Sequence, residues 1–479
     1  MKKVLLVNTN TEKLPYPVPP LGICIIASCL QPYYEVEVYD GVFDEGKNLQ
    51  RKVLEFCPHY IGFSIRNIDD VVADRKIFYP ARIISDFIQP VQAVTDVPVI
   101  LGGSGFSIFP EELMDLTGAD YGLSGEGEDL MLELLTRLDR EESVEGLPNV
   151  YSKGKPLPAV NSGPSWVSIQ AVPWSEVDLK ISFNPYRQKG VYSLQTKRGC
   201  SMGCVYCTYP CIEGKRYRQR DPSDIAEEIS QASKRLGDIT FEFVDSTFNE
   251  PREHAEALCQ AIIDKKLKVR LRTMGINPHN TDRKLFELMV RAGFAQIDVT
   301  PDSASEIMIK NLRKGFGIDD IHRTADLIRE FNLPAMWFFL FGGPGETEQT
   351  FRESIDFIDQ YVNPEDLVYL SAGLRIYPGT PLHKTAVEEG LLKPGEPIFY
   401  PSAFYFSDKL GKEGLDRLIQ EASKTRINCL PSNQTTPSPE MIQEAVKLRQ
   451  IHHLTEPMFR TLLRIRKKWI ASGKLSQEG

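Results

Sequence analysis

The stretch Lys197-Arg-Gly-Cys-Ser-Met-Gly-Cys-Val-Tyr-Cys207 decides how the rest of this chain is read. Its thiols, Cys200, Cys204 and Cys207, stand in a CxxxCxxC spacing. Three thiolates leave one iron of a [4Fe–4S] cluster open to a ligand, whereas four close a cluster for electron transfer alone. Soft thiolates also suit zinc. Structural zinc normally takes four protein ligands, often as two separated CxxC pairs, and no second pair is present. Cys211 is the nearby residue that could supply a fourth ligand. Cys259 and Cys429 have no paired spacing and read as buried small hydrophobes.

The 479 residues are enough for two or three domains, each with a sizeable core. A hydrophobic content of 42% and a charged content of 25% are those of a soluble globular protein. The formal charge of −9 argues against a general clamp on nucleic acid. No run of about 18 apolar residues is present, so no transmembrane helix is expected. The N-terminus reads as a short strand rather than a secretory signal. Nine cysteines, three of them in one loop, fit a reducing cytoplasm better than a disulfide framework. The composition therefore reads as a cytoplasmic protein.

Strands and helices alternate on both sides of the cysteine loop. Upstream, Lys3 to Val7, Glu35 to Tyr39, Tyr60 to Ile65 and Val97 to Leu101 read as strands, with helices such as Leu21 to Leu30 and Phe78 to Val94 between them. This α/β pattern predicts a doubly wound, Rossmann-like parallel sheet over 1–140, which binds ligands at the carboxyl ends of its strands. Glycine-rich turns at Leu101-Gly-Gly-Ser-Gly-Phe and Leu123-Ser-Gly-Glu-Gly-Glu fall at such ends. Residues 141–190, rich in Pro, Ser, Gly and Asn, read as a linker packed along an interface by Trp166 and Trp174. From Val191 the alternation restarts, with strands expected at Tyr192 to Thr196, Thr240 to Val244, Val269 to Arg272, Gln296 to Thr300, Ala335 to Phe341 and Leu367 to Ile376. Residues 391–479 read as a small helical C-terminal domain; its last helix carries Arg460, Arg464, Arg466, Lys467, Lys468 and Trp469. Such a helix is either a solvated face or one that grips an acidic substrate or anionic membrane.

The cysteine loop, with aromatic Tyr206 before its last thiol, resembles the radical SAM superfamily. The segments Pro19-Pro-Leu-Gly-Ile, Leu101 to Ser107 and Gly125-Glu-Gly-Glu look like the cobalamin-binding domain of B12-dependent members. The resemblance implies a partial (β/α)6 barrel over 191–390, with Cys200, Cys204 and Cys207 holding the cluster and Tyr206 near the adenine of S-adenosylmethionine (SAM). It implies that Gly102, Gly103, Ser104, Gly125, Glu126 and Gly127 line cobalamin. Two departures stand out. The DxHxxG motif that supplies a cobalt ligand is absent, and His59 is the only histidine before residue 150. Asp302-Ser303 stands where many relatives carry Glu-Ser.

Further residues follow from the same resemblance. Asp245 would meet the SAM ammonium or cap the next helix. Asp302 and Ser303 would hold the ribose or act as caps, and Gly342 and Gly343 would lie against the adenine. Arg272 would pair with the SAM carboxylate. By their charge, Arg216, Arg218 and Arg220 read as a bridge to the first domain, as groups that neutralise a phosphorylated ligand, or as a solvated basic stretch. No residue is assigned to the substrate, a small molecule or a lipid. The family implies cleavage of SAM to a 5′-deoxyadenosyl radical, fed by an electron donor such as flavodoxin or ferredoxin, and cobalamin-linked methyl transfer to an unactivated carbon. Radical cyclisation, carbon–carbon coupling or rearrangement without cobalamin stays open, as does a non-catalytic metal- or cobalamin-binding protein.

Overall fold

Two mainly parallel sheets follow one another along the chain, and the cysteine loop lies where they meet. The computed structural model describes residues 1–159, 169, 172–187, 190–434 and 436–475. Trp166 of the expected linker lies outside the described residues. The first sheet contains β1 (Lys3–Asn8), β2 (Glu35–Asp40), β3 (Tyr60–Ser64), β4 (Val99–Gly102), β5 (Tyr121–Leu123) and β6 (Val150–Ser152), in the order β2-β1-β3-β4-β5-β6. All neighbours are parallel except β5 and β6. Val4, Leu5, Leu6 and Val7 are all buried, as a strand covered by helices on both faces requires. β6 falls inside the span expected to be linker. Three residues are too short to show an alternating pattern, and pairing with β5 decides their state.

After β7 (Tyr192–Leu194) the chain forms a two-stranded ribbon of β8 (Lys197–Arg198) against β9 (Arg218–Gln219), which brackets the cysteine loop. Then come β10 (Thr240–Phe243), β11 (Arg270–Ile276), β12 (Phe294–Asp302), β13 (Ala335–Phe341) and β14 (Leu367–Ala372). β15 (Leu374–Arg375) pairs antiparallel with β16 (Phe404–Tyr405), and β17 (Cys429–Pro431) follows. The large sheet is parallel throughout, in the order β17-β14-β13-β12-β11-β10-β7. All six strands expected in the barrel are present. A seventh, β17, comes from the C-terminal region and buries Cys429.

Helices flank this sheet on one side only. Leu271, Ile297, Val299, Ala335, Trp337, Phe339 and Phe341 join the helices in one core, and each large side chain so buried stabilises the fold by about 1.5–3 kcal/mol. The other face turns toward the barrel axis and is less covered: Arg272, Met336, Phe338, Leu340, Tyr369 and Ser371 keep partial exposure, and Met274 is 45% exposed. A closed eight-stranded barrel fills its interior with such side chains; in this partial barrel they line an inward face, the chamber, that stays partly exposed.

The helix Met458–Ala471 closes the chamber at the amino ends of the strands. Its Phe459 and Leu463 pack on Leu367 beside Met336, Tyr369 and Leu430. Arg460 pairs with buried Asp366 at 2.9 Å, Arg464 with Glu456 at 2.5 Å and Lys468 with Glu444 at 3.4 Å. The basic run is thus largely consumed by internal pairing. No helix among the described residues is long and apolar enough to cross a membrane.

Candidate functional site

The cysteine loop is held from both ends. Gly199 accepts a hydrogen bond through its carbonyl from Ser246 Oγ (3.0 Å), its N–H donates to Glu213 (3.1 Å), and Cys200 N–H donates to Gly214 O (3.0 Å). Gly199 sits at φ +90°, and a Cβ there would fall on the Arg216 carbonyl. Gly199→Ala is expected to cost about 2 kcal/mol or more and to lower iron uptake, read from a urea midpoint and an iron assay. In mid-loop, Val205 N–H donates to Leu312 O (3.2 Å) and Val205 O accepts from Leu382 N–H (2.9 Å). Val205 belongs to one apolar core with Phe106 and Phe109 of the first sheet's helices, so the loop is wedged between the two sheets.

Burial raises the Cys204 thiol and pushes Cys207 up to about 12, with the neighbouring thiolates adding to both. Among the described residues no three His, Cys, Asp or Glu side chains converge on a single ion. A zinc site needs sulfurs about 3.8 Å apart, from tetrahedral Zn–S bonds of about 2.3 Å. A cluster takes one thiolate per iron and spreads them wider. The donor set, three soft thiols in one buried loop, fits a cluster. Cys211 is exposed, while Cys259 and Cys429 are buried in a helix and a strand.

Beside the loop, Tyr206 donates its hydroxyl to Asp302, and Lys314 Nζ lies 2.7 Å from the same carboxylate and 3.2 Å from the Tyr206 oxygen. Lys314 is the cation at the loop; its charge opposes the burial that raises both Cys204 and Cys207. Sequence reasoning missed it. Ser303 turns away from the loop, with its hydroxyl 3.1 Å from Ser354 Oγ and accepting from Ser305 N–H at 3.1 Å. It closes a local turn ahead of the helix Glu306–Asn311, and Asp302 alone of the pair faces the loop.

Asp245 does not cap the next helix. Its carboxylate accepts from Thr196 N–H (2.7 Å), Thr196 Oγ1 (2.5 Å) and Lys197 N–H (3.2 Å), and pairs with Lys197 Nζ at 3.2 Å. Both side chains are almost wholly buried, so this pair pins the start of the cysteine loop to the end of β10. Arg272 is likewise engaged elsewhere. It pairs with Glu242 and lies 3.9 Å from the ring of Tyr16, inside the chamber. Gly342 N–H donates to buried Glu346 (3.3 Å) and its carbonyl accepts from Ser407 N–H (2.8 Å). Gly343 packs on Leu312 and Met308 under the loop.

On the first sheet the order β2-β1-β3 puts the topological switch point between β1 and β3. A cleft opens at their carboxyl ends, lined by Thr9, Asn10 and Thr11 after β1 and Arg66 and Asn67 after β3. Gly102, Gly103 and Ser104 adjoin it. A Cβ on Gly103 would come within 2.6 Å of Ile65 O, and Ser104 Oγ donates to Arg66 O at 3.2 Å. Glycine there lets two strand ends close up beneath the cleft. His59 accepts from Lys3 N–H at the opposite edge, so it is remote from any ligand in this cleft. A switch point of this kind is where such a sheet takes its ligand, and His59 is not placed to reach one there.

Gly125 N–H donates to Ser107 Oγ at 2.8 Å, and Gly127 starts the helix Glu128–Asp139. Glu126 turns to the second sheet, where Arg218 and Arg198 clasp it, and Glu128 holds Arg198 at 2.6 Å. Arg218 therefore bridges the two sheets, while Arg220 is buried against Glu228 and stacks 3.8 Å from Trp174. Burial alone would raise the Glu126 carboxyl, but Arg218 and Arg198 hold it below the usual range. A depressed carboxylate stabilises above its unfolded value of about 4.3 and loses that contribution as pH falls through the folded value. Glu126→Gln is expected to cost about 2 kcal/mol at neutral pH. In denaturation at a series of pH values the difference from the wild type should vanish in acid.

Comparison with known proteins agrees with this arrangement. The B12 binding domain matches residues 7–135 and the Radical SAM superfamily matches residues 194–358. An uncharacterized methyltransferase of Pyrococcus horikoshii is 24% identical over 402 residues, covering 81% of this chain and 84% of its own. Tryptophan 2-C-methyltransferase of Streptomyces laurentii is 25% identical over 453 residues, covering 81% of this chain and 74% of its own. The fold matches that of the radical SAM methyltransferase TsrM from Kitasatospora setae, solved with cobalamin and a [4Fe–4S] cluster, at a TM-score of 0.79 and 23% identity over 98% of this chain and all of that one. The cobalamin-dependent radical enzyme OxsB matches at a TM-score of 0.72 and 15% identity over 99% of this chain and 71% of its own. The chain thus carries a region that matches the B12 binding domain and, after it, one that matches the Radical SAM superfamily and contains the cysteine loop.

Proposed function

We propose that this protein is a cobalamin-linked radical SAM methyltransferase that acts on a carbon of a small-molecule substrate held in the barrel chamber. The observation that carries this reading is the seam: the cysteine loop packs in one core with Phe106 and Phe109 beside the first sheet, while inward-facing side chains of the barrel behind it keep partial exposure. When bound, the cluster and SAM supply a 5′-deoxyadenosyl radical and cobalamin supplies the methyl group.

Cys200, Cys204 and Cys207 would hold three irons. Lys314 and Asp302, paired at 2.7 Å, would meet the charged and hydroxyl groups of SAM next to Tyr206. Gly342 and Gly343 shape the turn on the far side of the loop, where the adenine would lie. The β1/β3 cleft and Gly102 to Ser104 would receive cobalamin. The chain's other task is to keep water and stray hydrogen donors away from a reactive species, and the helix Met458–Ala471 does so at the chamber floor. We read the domains as 1–140, 191–390 and 391–479 with a linker between the first two, the antiparallel β6 lying within that linker.

The test is anaerobic reconstitution with iron, sulfide and cobalamin, followed by visible spectra and product analysis. A methyltransferase retains cobalamin through desalting and forms S-adenosylhomocysteine beside 5′-deoxyadenosine. A cluster that cleaves SAM with no retained cobalamin would replace this reading with cyclisation or coupling, and no cluster would end both.

A further inference from the structure

The chamber floor carries charges that the reading above leaves unused. Strand register sets them side by side: Glu242 on β10 is level with Arg272 on β11, and Arg272 with Gln296 on β12. Asp298 follows two residues later on the same inward face. Tyr16, from the loop after β1, reaches in from the first domain and donates to Glu242 Oε1 at 2.7 Å while its ring covers the Arg272 guanidinium.

The floor is short of positive charge. Two carboxylates face one guanidinium, which is ion-paired with Glu242 and stacked on Tyr16, its Nε keeping no hydrogen-bond partner among the described residues. The Glu242 side chain is only 2% exposed, and its Oε2 has no hydrogen-bond partner. Among the described residues, Asp298 accepts from the Gln296 amide, 3.0 Å away. Above it stand Phe338 and Tyr369, paired in register with ring centroids 5.0 Å apart. A buried carboxylate beneath aromatic faces is the chemistry that recognises an organic cation, since the ring quadrupole and the carboxylate attract the same charge. An anionic group would meet the excess carboxylate instead.

We propose that the chamber floor binds a positively charged, amine-bearing end of the substrate between Asp298 and the rings of Phe338 and Tyr369. This rests on the reading of the chamber as the substrate site. The groups facing Asp298 are Arg272, Glu242, Gln296 and the Tyr16 and Tyr369 phenols. Burial pushes Asp298 up to about 7, with Glu242 adding to the rise and Gln296 and Arg272 opposing it. A bound cation favours the ionised form, so binding below about pH 7 releases a proton and weakens as pH falls through that value.

The experiment is calorimetry of the reconstituted full chain with three probes that share one ring: phenethylamine, phenethyl alcohol and phenylacetate. Phenethylammonium is expected to bind at least about tenfold tighter than the other two. At acidic pH, proton release should appear as a buffer-dependent heat and disappear in alkaline buffer. Asp298→Asn should erase the preference, and the wild-type proton release serves as the readout if that variant does not fold. Equal binding of the three, preference for phenylacetate, or no binding at millimolar concentration overturns the proposal. SAM cleavage is measured on the same preparation: cleavage without amine preference defeats this inference alone, whereas absence of a cluster defeats the functional reading beneath it.

Discussion

Cys200→Ala is expected to abolish the reconstituted cluster absorbance and to reduce SAM cleavage by more than about a thousandfold. Cys200 is the most buried of the three thiols, and its backbone is tied to Gly214 O. The loop itself should persist, because Val205 keeps its hydrogen bonds to Leu312 and Leu382. Near-native urea unfolding with lost iron is therefore the expected pairing. Cys259→Ala is the control: that thiol is buried in the helix Arg252–Asp264, away from the loop, and its loss should leave iron content unchanged. Full iron content in Cys200→Ala would disprove the assignment of the loop.

Asp245→Ala should produce the largest loss of stability, about 3–5 kcal/mol, because it strands a buried Lys197 charge with no counter-ion. Lys197 Nζ would keep only the Phe248 carbonyl at 2.9 Å and the Thr196 hydroxyl at 3.4 Å. The loop start would loosen, so iron uptake should fall together with the urea midpoint. Replacing both partners separates the contributions. Asp245→Asn with Lys197→Met removes both charges at similar volume and should recover most of the stability. Were Asp245 chiefly a contact for the SAM ammonium, the single variant would raise the KM for SAM and leave the urea midpoint in place.

Much of the molecule was legible in sequence because local pattern and tertiary need coincide in it. Each expected barrel strand is an apolar run that the helices cover, and the CxxxCxxC spacing announces a cluster through the donor count alone. The polar members of the same strands were also visible, as Glu242 in Phe-Glu-Phe and Asp298 in Ile-Asp-Val. An inward carboxylate in an apolar strand is a signal of a lined chamber that period-two reading could have used. Sequence reasoning stopped where a side chain's partner lies far along the chain. Asp245 reads as a cofactor ligand until Lys197 is seen to take it. Arg272 reads the same way until Glu242 and Tyr16 do so, across separations of 30 and 256 residues.

The sequence by itself determined the two-sheet α/β architecture, the cluster loop and the glycine turns at strand ends, since these depend on spacing and backbone freedom within a few residues. Only the tertiary structure decided that Lys314 stands beside the cysteines, that Glu126 ties the two sheets together, and that the barrel carries a charged floor. Those facts arise from strand register and from side chains meeting across the fold, and burial makes each such meeting energetically decisive because a charge removed from water must find its partner wherever the chain brings one.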